Sequence, residues 1–163
     1  MALPLLNGHV PSVLSQQVRE FHQAMGQGIR ETPGLPSEGE LRLRALLVLE
    51  EAFEFAEAIF RRDGETPLSL RHVYEQTVFL CKNLPIVAPD FPSMVDALAD
   101  TDYVVEGSRL AIGVDGGPVA DEVHRANMAK ATGPVSLEGK RLKPPGWRAP
   151  DIAGVLHAQG WQP

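Results

Sequence analysis

The chain has 163 residues and a formal net charge of −6 at pH 7, which suits one ordinary domain with a sizeable core. The acidic balance argues against nucleic acid as a partner, because phosphate backbones require a basic surface. The single cysteine, Cys81, excludes an internal disulfide and fits an intracellular, cytoplasmic setting. No apolar run approaches the roughly 20 residues of a membrane span, and residues 1–10 lack the basic start of a signal peptide.

Helical patterns follow one another along the chain. After an irregular lead-in over residues 1–10, the apolar spacing predicts helices at about 12–26, 37–62, 68–82, 94–112, 118–131 and 151–158. Candidate N-caps are Ser12, Ser37 and Ser93, and Ser37 with Glu40 fits a capping box. Residues 132–163 read as a loop-rich C-terminal segment. Strand patterns are scarce, so the predicted class is all-α, as a single domain over 1–163.

The second predicted helix carries acids inside an apolar run. At about 100° per residue, Glu50, Glu54 and Glu57 lie within roughly 60° of one another, and Glu51 flanks them. Three leucines continue the same face toward the N-terminus: Leu43, Leu46 and Leu47. The acids therefore extend an apolar, core-facing stripe. Because the helix is apolar on nearly all sides, we expect its own chain and a partner to cover it together.

Acids crowded on such a stripe repel one another and cost desolvation unless cations offset them. Hard cations such as Mg²⁺ take oxygen ligands, which this face offers. One interpretation is therefore a metal site. The alternative is that nearby arginines pair with the acids: Arg42, Arg44, Arg61 and Arg62.

A second acidic group lies in the fourth predicted helix. Asp96 and Asp100 are one turn apart and share a face with Tyr103. Two aspartates at this spacing repel unless something positive lies between them. The alternative for Asp96 is a place at the helix N-terminus, where it would favour the dipole. That alternative does not explain Asp100.

Five segments in this order resemble the MazG-like, all-α nucleoside triphosphate pyrophosphatases: EEAFE at 50–54, DALAD at 96–100, YVVEG at 103–107, EVHRANMAK at 122–130 and GKRLKPPGW at 139–147. The likeness covers about residues 18–156. It is strongest to the bacterial members that act on dUTP, near phosphoribosyl-ATP pyrophosphohydrolase. The resemblance implies a four- to five-helix bundle that assembles as a homodimer or homotetramer.

The resemblance also implies a Mg²⁺-dependent hydrolase, with Mn²⁺ as an alternative ion. Its substrate would be a nucleoside triphosphate, such as dUTP or another non-standard or pyrimidine nucleotide. Cleavage between the α and β phosphates would give a monophosphate and pyrophosphate.

Residue by residue, the resemblance assigns the catalytic and metal-binding roles to carboxylates. Glu51, Glu54 and Asp100 would be ligands, and Glu50 would be a ligand or would orient the attacking water. Substrate phosphates would be held by Asn127, Lys130 and Lys143. Arg125 would do the same or pair with an acid. Apart from the resemblance, Trp147 is a candidate for contact with the base, and the alternative is that it packs in the core or on the surface.

The chain departs from the family at one position. The second motif is usually ExxD, and its Glu falls on Ala97. Asp96 is adjacent and faces the same way as Asp100, so we predict that it takes over as a ligand. If it does not, the alternative is a catalytically silent helical assembly or regulatory module. A di-iron bundle is a further rival, but it needs Glu-x-x-His on two helices, and this chain has none.

Overall fold

The structure is a computed structural model that describes residues 10–62, 64–135 and 141–163. It forms six α-helices in these ranges: α1 Val13–Ala24, α2 Glu38–Phe60, α3 Leu68–Asn83, α4 Phe91–Ala111, α5 Gly116–Ala131 and α6 Ile152–Ala158. No strand forms there, so the predicted all-α class is confirmed. None of the described helices has the length and hydropathy needed to cross a membrane. All but the last residue of the predicted lead-in lies outside the described ranges.

Local hydrogen bonds explain where the first two helices begin. The Ser12 hydroxyl accepts from the backbone N–H of Ser15 at 3.1 Å, and the Ser37 hydroxyl accepts from that of Glu40 at 3.2 Å. Each satisfies an N–H group that has no partner inside the helix. Both predicted caps are therefore confirmed.

The second helix ends at Phe60, two residues before the prediction. Arg62 and Glu65 pair through their backbones at 3.0 and 2.8 Å, and Gly64 takes a φ of +81° inside that turn. A left-handed residue suits glycine, which lacks a Cβ. Asp63 lies outside the described residues.

The fourth helix begins earlier than predicted, at Phe91 rather than near Met94. Asp90 is the capping residue, since its carboxylate accepts from the Ser93 backbone N–H at 3.1 Å and from the Ser93 hydroxyl at 2.8 Å. These bonds lower the pKa of Asp90. The prediction that Ser93 caps the helix was therefore wrong, because a better acceptor precedes it. Pro92 is tolerated in the first turn, where its missing N–H costs nothing.

The chain divides into two compact units, with the boundary inside α4 between Ala97 and Leu98. One unit contains α2, α3 and the start of α4. The other contains α1, the rest of α4, α5 and α6. That residues 1–163 act as one domain stays a prediction.

In the first unit, α2 and α3 form an antiparallel pair. The Phe53 and Tyr74 rings lie 5.0 Å apart in a tilted arrangement. Near the start of α2, the Arg42 guanidinium donates to the Leu84 carbonyl at 3.0 Å and to the Cys81 carbonyl. A cation at the end of α3 satisfies carbonyls that have no partner inside the helix and complements the helix dipole.

In the second unit, α1 runs parallel to α5. Gln17 Nε2 donates to Asp121 Oδ1 at 2.6 Å, and His124 Nε2 lies 3.2 Å from Glu20 Oε2. The two contacts have the same sequence separation, which requires the helices to point the same way.

The last helix runs antiparallel to α5. At one end, the Gln159 side chain bonds the backbone N–H and carbonyl of Asp115 at 2.8 and 3.0 Å. At the other, Asp151 N–H donates to Glu122 at 2.8 Å. Ala126 of α5, only 1% exposed, lies one turn beyond Glu122. This unit therefore has a small local core on the α5 side.

Candidate active site

Three acids of α2 lie on the side of that helix that faces Tyr74. The pKa of the Tyr74 phenol is raised, first by desolvation and then by the negative charges of Glu50, Glu54 and Glu57. The Phe53 ring, on the same side of α2, packs against Tyr74. The acids thus share one face, as their spacing predicts.

Tyr74 is the residue that sequence reasoning missed here. It belongs to α3, and nothing in its local sequence marks it as a neighbour of the acids. Only the antiparallel pairing of α2 with α3 brings the phenol to the acidic face.

Much of this face is accessible in the single chain. Glu50 and Glu54 are exposed, and Leu43 and Leu47 keep 49% and 41% of their surface accessible, while Leu46 and Glu57 are half-buried. That the chain and a partner cover the face together stays a prediction.

The arginine alternative for the acids is weakened. Arg42 pairs with Glu38 at 2.7 Å, and Arg44 lies 3.4 Å from Glu40, both within the first turns of α2. Within the described residues of the α2–α3 pair, no ion pair joins Glu50 or Glu54 to an arginine. Arg42 and Arg44 therefore both have acidic partners in the first turns of α2.

Asp96 and Asp100 are both exposed on the continuous helix α4, one turn apart. Because α4 begins at Phe91, Asp96 is already in the second turn, and Asp90 occupies the end. The favourable effect of the helix dipole fades within the first turn. The helix-terminus explanation of Asp96 therefore loses most of its support.

The predicted metal ligands are divided between the two units. Glu50, Glu51, Glu54 and Asp96 belong to the first unit, and Asp100 belongs to the second. In the part of the chain that the structure describes, no three acidic, histidine or cysteine side chains are grouped as a metal site. The chemistry of the donor set fits Mg²⁺, because all five donors are carboxylates. The metal site stays a prediction.

Three of the predicted phosphate-binding residues, Asn127, Lys130 and Lys143, are brought together in the second unit. Lys130 Nζ donates to Asn127 Oδ1 at 3.0 Å. Lys143 Nζ lies 4.2 Å from the centre of the Trp147 ring, and Lys130 Nζ lies 5.5 Å from it. Since the Asn127 oxygen is occupied, its amide NH₂ remains as a donor. The cluster thus offers two ammonium groups and an amide at one place.

A close backbone contact at Gly133 positions the segment that follows α5. The backbone N–H of Leu142 donates to the Pro134 carbonyl at 2.8 Å. A Cβ atom on Gly133 would lie 1.8 Å from the Leu142 carbonyl oxygen, so no other residue fits there. This pairing delivers Lys143 to the end of α5. Residues 136–140 lie outside the described residues.

A tight turn then places Trp147 beside Lys143. The Trp147 N–H donates to the Pro144 carbonyl at 3.1 Å, and Gly146 has a φ of +75°. Proline second and a left-handed glycine third are the preferences of a type II turn. The sequence PPGW therefore fixes the contact between Lys143 and Trp147.

The cluster contains two positively charged side chains. Among the described residues, no carboxylate forms an ion pair with Lys130 or Lys143. Both ammonium groups lie within 5.5 Å of the centre of one indole ring, and an anion bound beside them would offset their positive charge. This is a favourable place for phosphate oxygens.

Arg125 lies outside this cluster. Its guanidinium donates to both carboxylate oxygens of Glu122, at 2.8 and 2.7 Å, and to the Ala149 carbonyl at 3.3 Å. Glu122 also accepts from Asp151 N–H, and these bonds lower its pKa to about 2. Of the two roles predicted for Arg125, the structure shows the pairing with an acid.

Comparison with known proteins identifies the family and supports the fold. The profile of the phosphoribosyl-ATP pyrophosphohydrolase family matches residues 18–127, which is 110 of the 163 residues. Twelve solved chains match the structure. One is a candidate NTP pyrophosphohydrolase from Exiguobacterium sp. 255-15, with a TM-score of 0.71 and 24% identity over 91% of this chain and 96% of that one. No protein of curated function matches significantly.

Proposed function

The chain belongs to the phosphoribosyl-ATP pyrophosphohydrolase family, and from that premise we propose that it is a Mg²⁺-dependent nucleoside triphosphate pyrophosphohydrolase. The observation that carries the proposal is the cluster of Lys130, Lys143 and Asn127, which presents donors and positive charge without an acidic partner among the described residues. The substrate we propose is dUTP or another non-standard or pyrimidine nucleotide.

In the proposed reaction, water adds across the bond between the α and β phosphates. The products are a nucleoside monophosphate and pyrophosphate. Phosphoryl transfer asks mainly for positioning and neutralisation of charge. Lys130 and Lys143 would neutralise the leaving phosphates, and the Asn127 amide would orient them by hydrogen bonding. Glu50 would orient the attacking water.

Carboxylates of α2 and α4 would hold the metal. The proposed ligands are Glu51, Glu54, Asp96 and Asp100, with Glu50 as a further ligand if it does not orient the water. When bound, Mg²⁺ or Mn²⁺ supplies positive charge and lowers the pKa of a coordinated water. An oxygen-only donor set favours these hard ions over softer metals.

We further propose that the working protein is a homodimer or homotetramer. Its support is the apolar surface that α2 and α3 leave accessible, which includes Phe55, Ile59 and Phe79, each more than half exposed. Large apolar faces of this kind mark interaction surfaces.

The test of activity is a pyrophosphate-release screen over the eight common nucleoside triphosphates and dUTP, with Mg²⁺ and with chelator. We expect release from at least one nucleotide, only with metal. Glu54→Gln should abolish release. Glu75→Gln, which removes an exposed acid of α3, should leave it intact. No release from any nucleotide would favour the catalytically silent module.

A further inference from the structure

Trp147 is held in a way that does not suit a platform for a base. Its indole N–H donates to the Ala126 carbonyl at 2.8 Å, so its polar atom is used within the protein. Its ring faces the ammonium group of Lys143 at 4.2 Å and that of Lys130 at 5.5 Å. A base stacked on this ring would compete with these cations for it.

The indole ring can attract two cations while leaving their charge intact. The face of an indole attracts ammonium groups through the quadrupole of its π-system. A carboxylate at the same place would attract them more strongly, but it would also neutralise them. The ring therefore holds the Lys130 and Lys143 ammonium groups near it and keeps both available to an anion.

We propose that Trp147 is a positioning residue that holds the Lys130 and Lys143 ammonium groups ready to bind the pyrophosphate portion of the nucleotide. The inference rests on the proposed function, because that portion supplies the adjacent phosphates that two neighbouring ammonium groups would bind. On this account the indole determines phosphate affinity and does not select the base.

The main test measures binding of inorganic pyrophosphate by calorimetry at fixed Mg²⁺. Trp147→Leu should weaken binding roughly three- to thirtyfold, the range that a cation–π contact supports. Trp147→Phe keeps an aromatic face but loses the N–H, and it should stay within about twofold of the parent. The matched control is Trp161→Leu, which removes the other tryptophan, 47% exposed and in contact with His157; it should bind normally.

Two results would overturn the proposal. If Trp147→Phe binds as weakly as Trp147→Leu, the bond to Ala126 or the packing of the ring is what matters. If Trp147→Leu binds pyrophosphate normally but changes the ranking of nucleotides by base, the ring is a base platform. A ranking that is unchanged while KM rises for every nucleotide would support the proposal.

A double-mutant cycle tests the coupling directly. Lys143→Met should weaken pyrophosphate binding strongly in the parent and only slightly in Trp147→Leu, because the ring no longer positions that ammonium. Equal effects in both backgrounds would show that the two residues act independently, against the proposal. The control substitution is Lys82→Met, in the last turn of α3.

A measurement that keeps Trp147 covers the case in which Trp147→Leu fails to fold. In Trp161→Phe, Trp147 is the only tryptophan, so its emission reports on the ammonium groups beside it. Pyrophosphate should shift that emission, and Lys143→Met should reduce the shift. An emission that pyrophosphate does not change would contradict the proposal.

These outcomes separate this inference from the proposed function. Pyrophosphate binding that depends on Trp147, without hydrolysis of any nucleotide, would support the inference and overturn the activity. Hydrolysis of a nucleotide, together with pyrophosphate binding that is independent of Trp147, would support the activity and overturn the inference.

Discussion

Asp96 stands one position before the place where the family usually has its glutamate, and Ala97 at that place has no ligand atom. The structure weakens the explanation that Asp96 stabilises the N-terminus of α4, because Asp90 caps that helix and Asp96 lies a turn further on. What remains is a carboxylate one turn before Asp100 on the same helix. At about 100° per residue the two directions differ by only about 40°.

We predict that Asp96→Asn cuts pyrophosphate release roughly tenfold or more, or about 1.4 kcal/mol in the barrier. The physical reason is the loss of a charged oxygen ligand at an ion shared with Asp100. Steady-state kinetics over a Mg²⁺ series would measure it. Ala97→Glu restores the usual motif and should be tolerated or tighten Mg²⁺ dependence. Full activity of Asp96→Asn with an unchanged Mg²⁺ series would leave the site to Glu50, Glu51, Glu54 and Asp100.

Metal binding itself can be measured without turnover. We predict that saturating Mg²⁺ or Mn²⁺ raises the melting temperature, since a ligand at a hundred times its Kd stabilises by about 2.7 kcal/mol. For a chain of this size that is a shift on the order of 5–10 °C. Glu54→Gln should abolish the shift, and Glu75→Gln should keep it. A Glu54→Gln protein that binds metal like the parent would remove Glu54 from the site.

At the scale of elements, the Glu122–Arg125 pair fastens the start of α6 to α5. Glu122 accepts from the Arg125 guanidinium and from Asp151 N–H, and its side chain is only 18% exposed. Its pKa falls from 4.5 to about 2 in the folded chain. The folded chain therefore favours the ionised carboxylate, and the unfolded chain binds more protons at acid pH.

We predict that this stabilisation is fully present above pH 4.5 and is lost as the pH falls toward about 2. The protection of α6 amides from hydrogen exchange, taken relative to the intrinsic exchange rate at each pH, should fall through that window. Glu122→Gln should lower this protection already at neutral pH and flatten its pH dependence. Glu106→Gln breaks an exposed i,i+3 pair with Arg109 and should change little. A protection of α6 that is independent of pH in the parent would contradict the prediction.

The helix boundaries show which helix starts can be predicted from local sequence. Ser12 and Ser37 cap their helices through bonds to residues three positions on, so local sequence was enough to predict them. The start of α4 was misplaced because Asp90 and Ser93 both have capping side chains, and only geometry shows which one accepts.

Some features of the candidate site could likewise be predicted from the sequence, and others could not. The shared face of the α2 acids follows from helical periodicity, and their closeness to Tyr74 is consistent with it. The nearness of Lys130, Lys143 and Trp147 was predicted only through the family resemblance. The orientation of the Trp147 ring toward ammonium groups rather than a base depends on the turn at Gly146 and on the bond to Ala126. Neither can be derived from residue spacing.

At the scale of the whole molecule, the apolar surface is the feature that needs explanation. No side chain of α2 or α3 is fully buried. Phe55, Ile59 and Phe60 of α2 and Phe79 and Leu80 of α3 are between 49% and 61% exposed. Two helices packed on each other cannot cover all their sides, and the hydrophobic effect favours covering the remainder. A second copy of the chain would supply apolar surface of the same kind.

We predict a homodimer or homotetramer of the 17.7 kDa chain at micromolar concentration, measured by light scattering after size exclusion. Its melting temperature should rise with protein concentration, because assembly stabilises the folded chain by mass action. Phe55→Glu should shift the population toward monomer and lower the melting temperature, since it places a charge in the apolar face that assembly would bury. Val10→Glu, at an apolar side chain that is 69% exposed before α1, should do neither. A parent protein that is monomeric at micromolar concentration, with a melting temperature independent of concentration, would refute the prediction and would leave the apolar surface of α2 and α3 without an occupant.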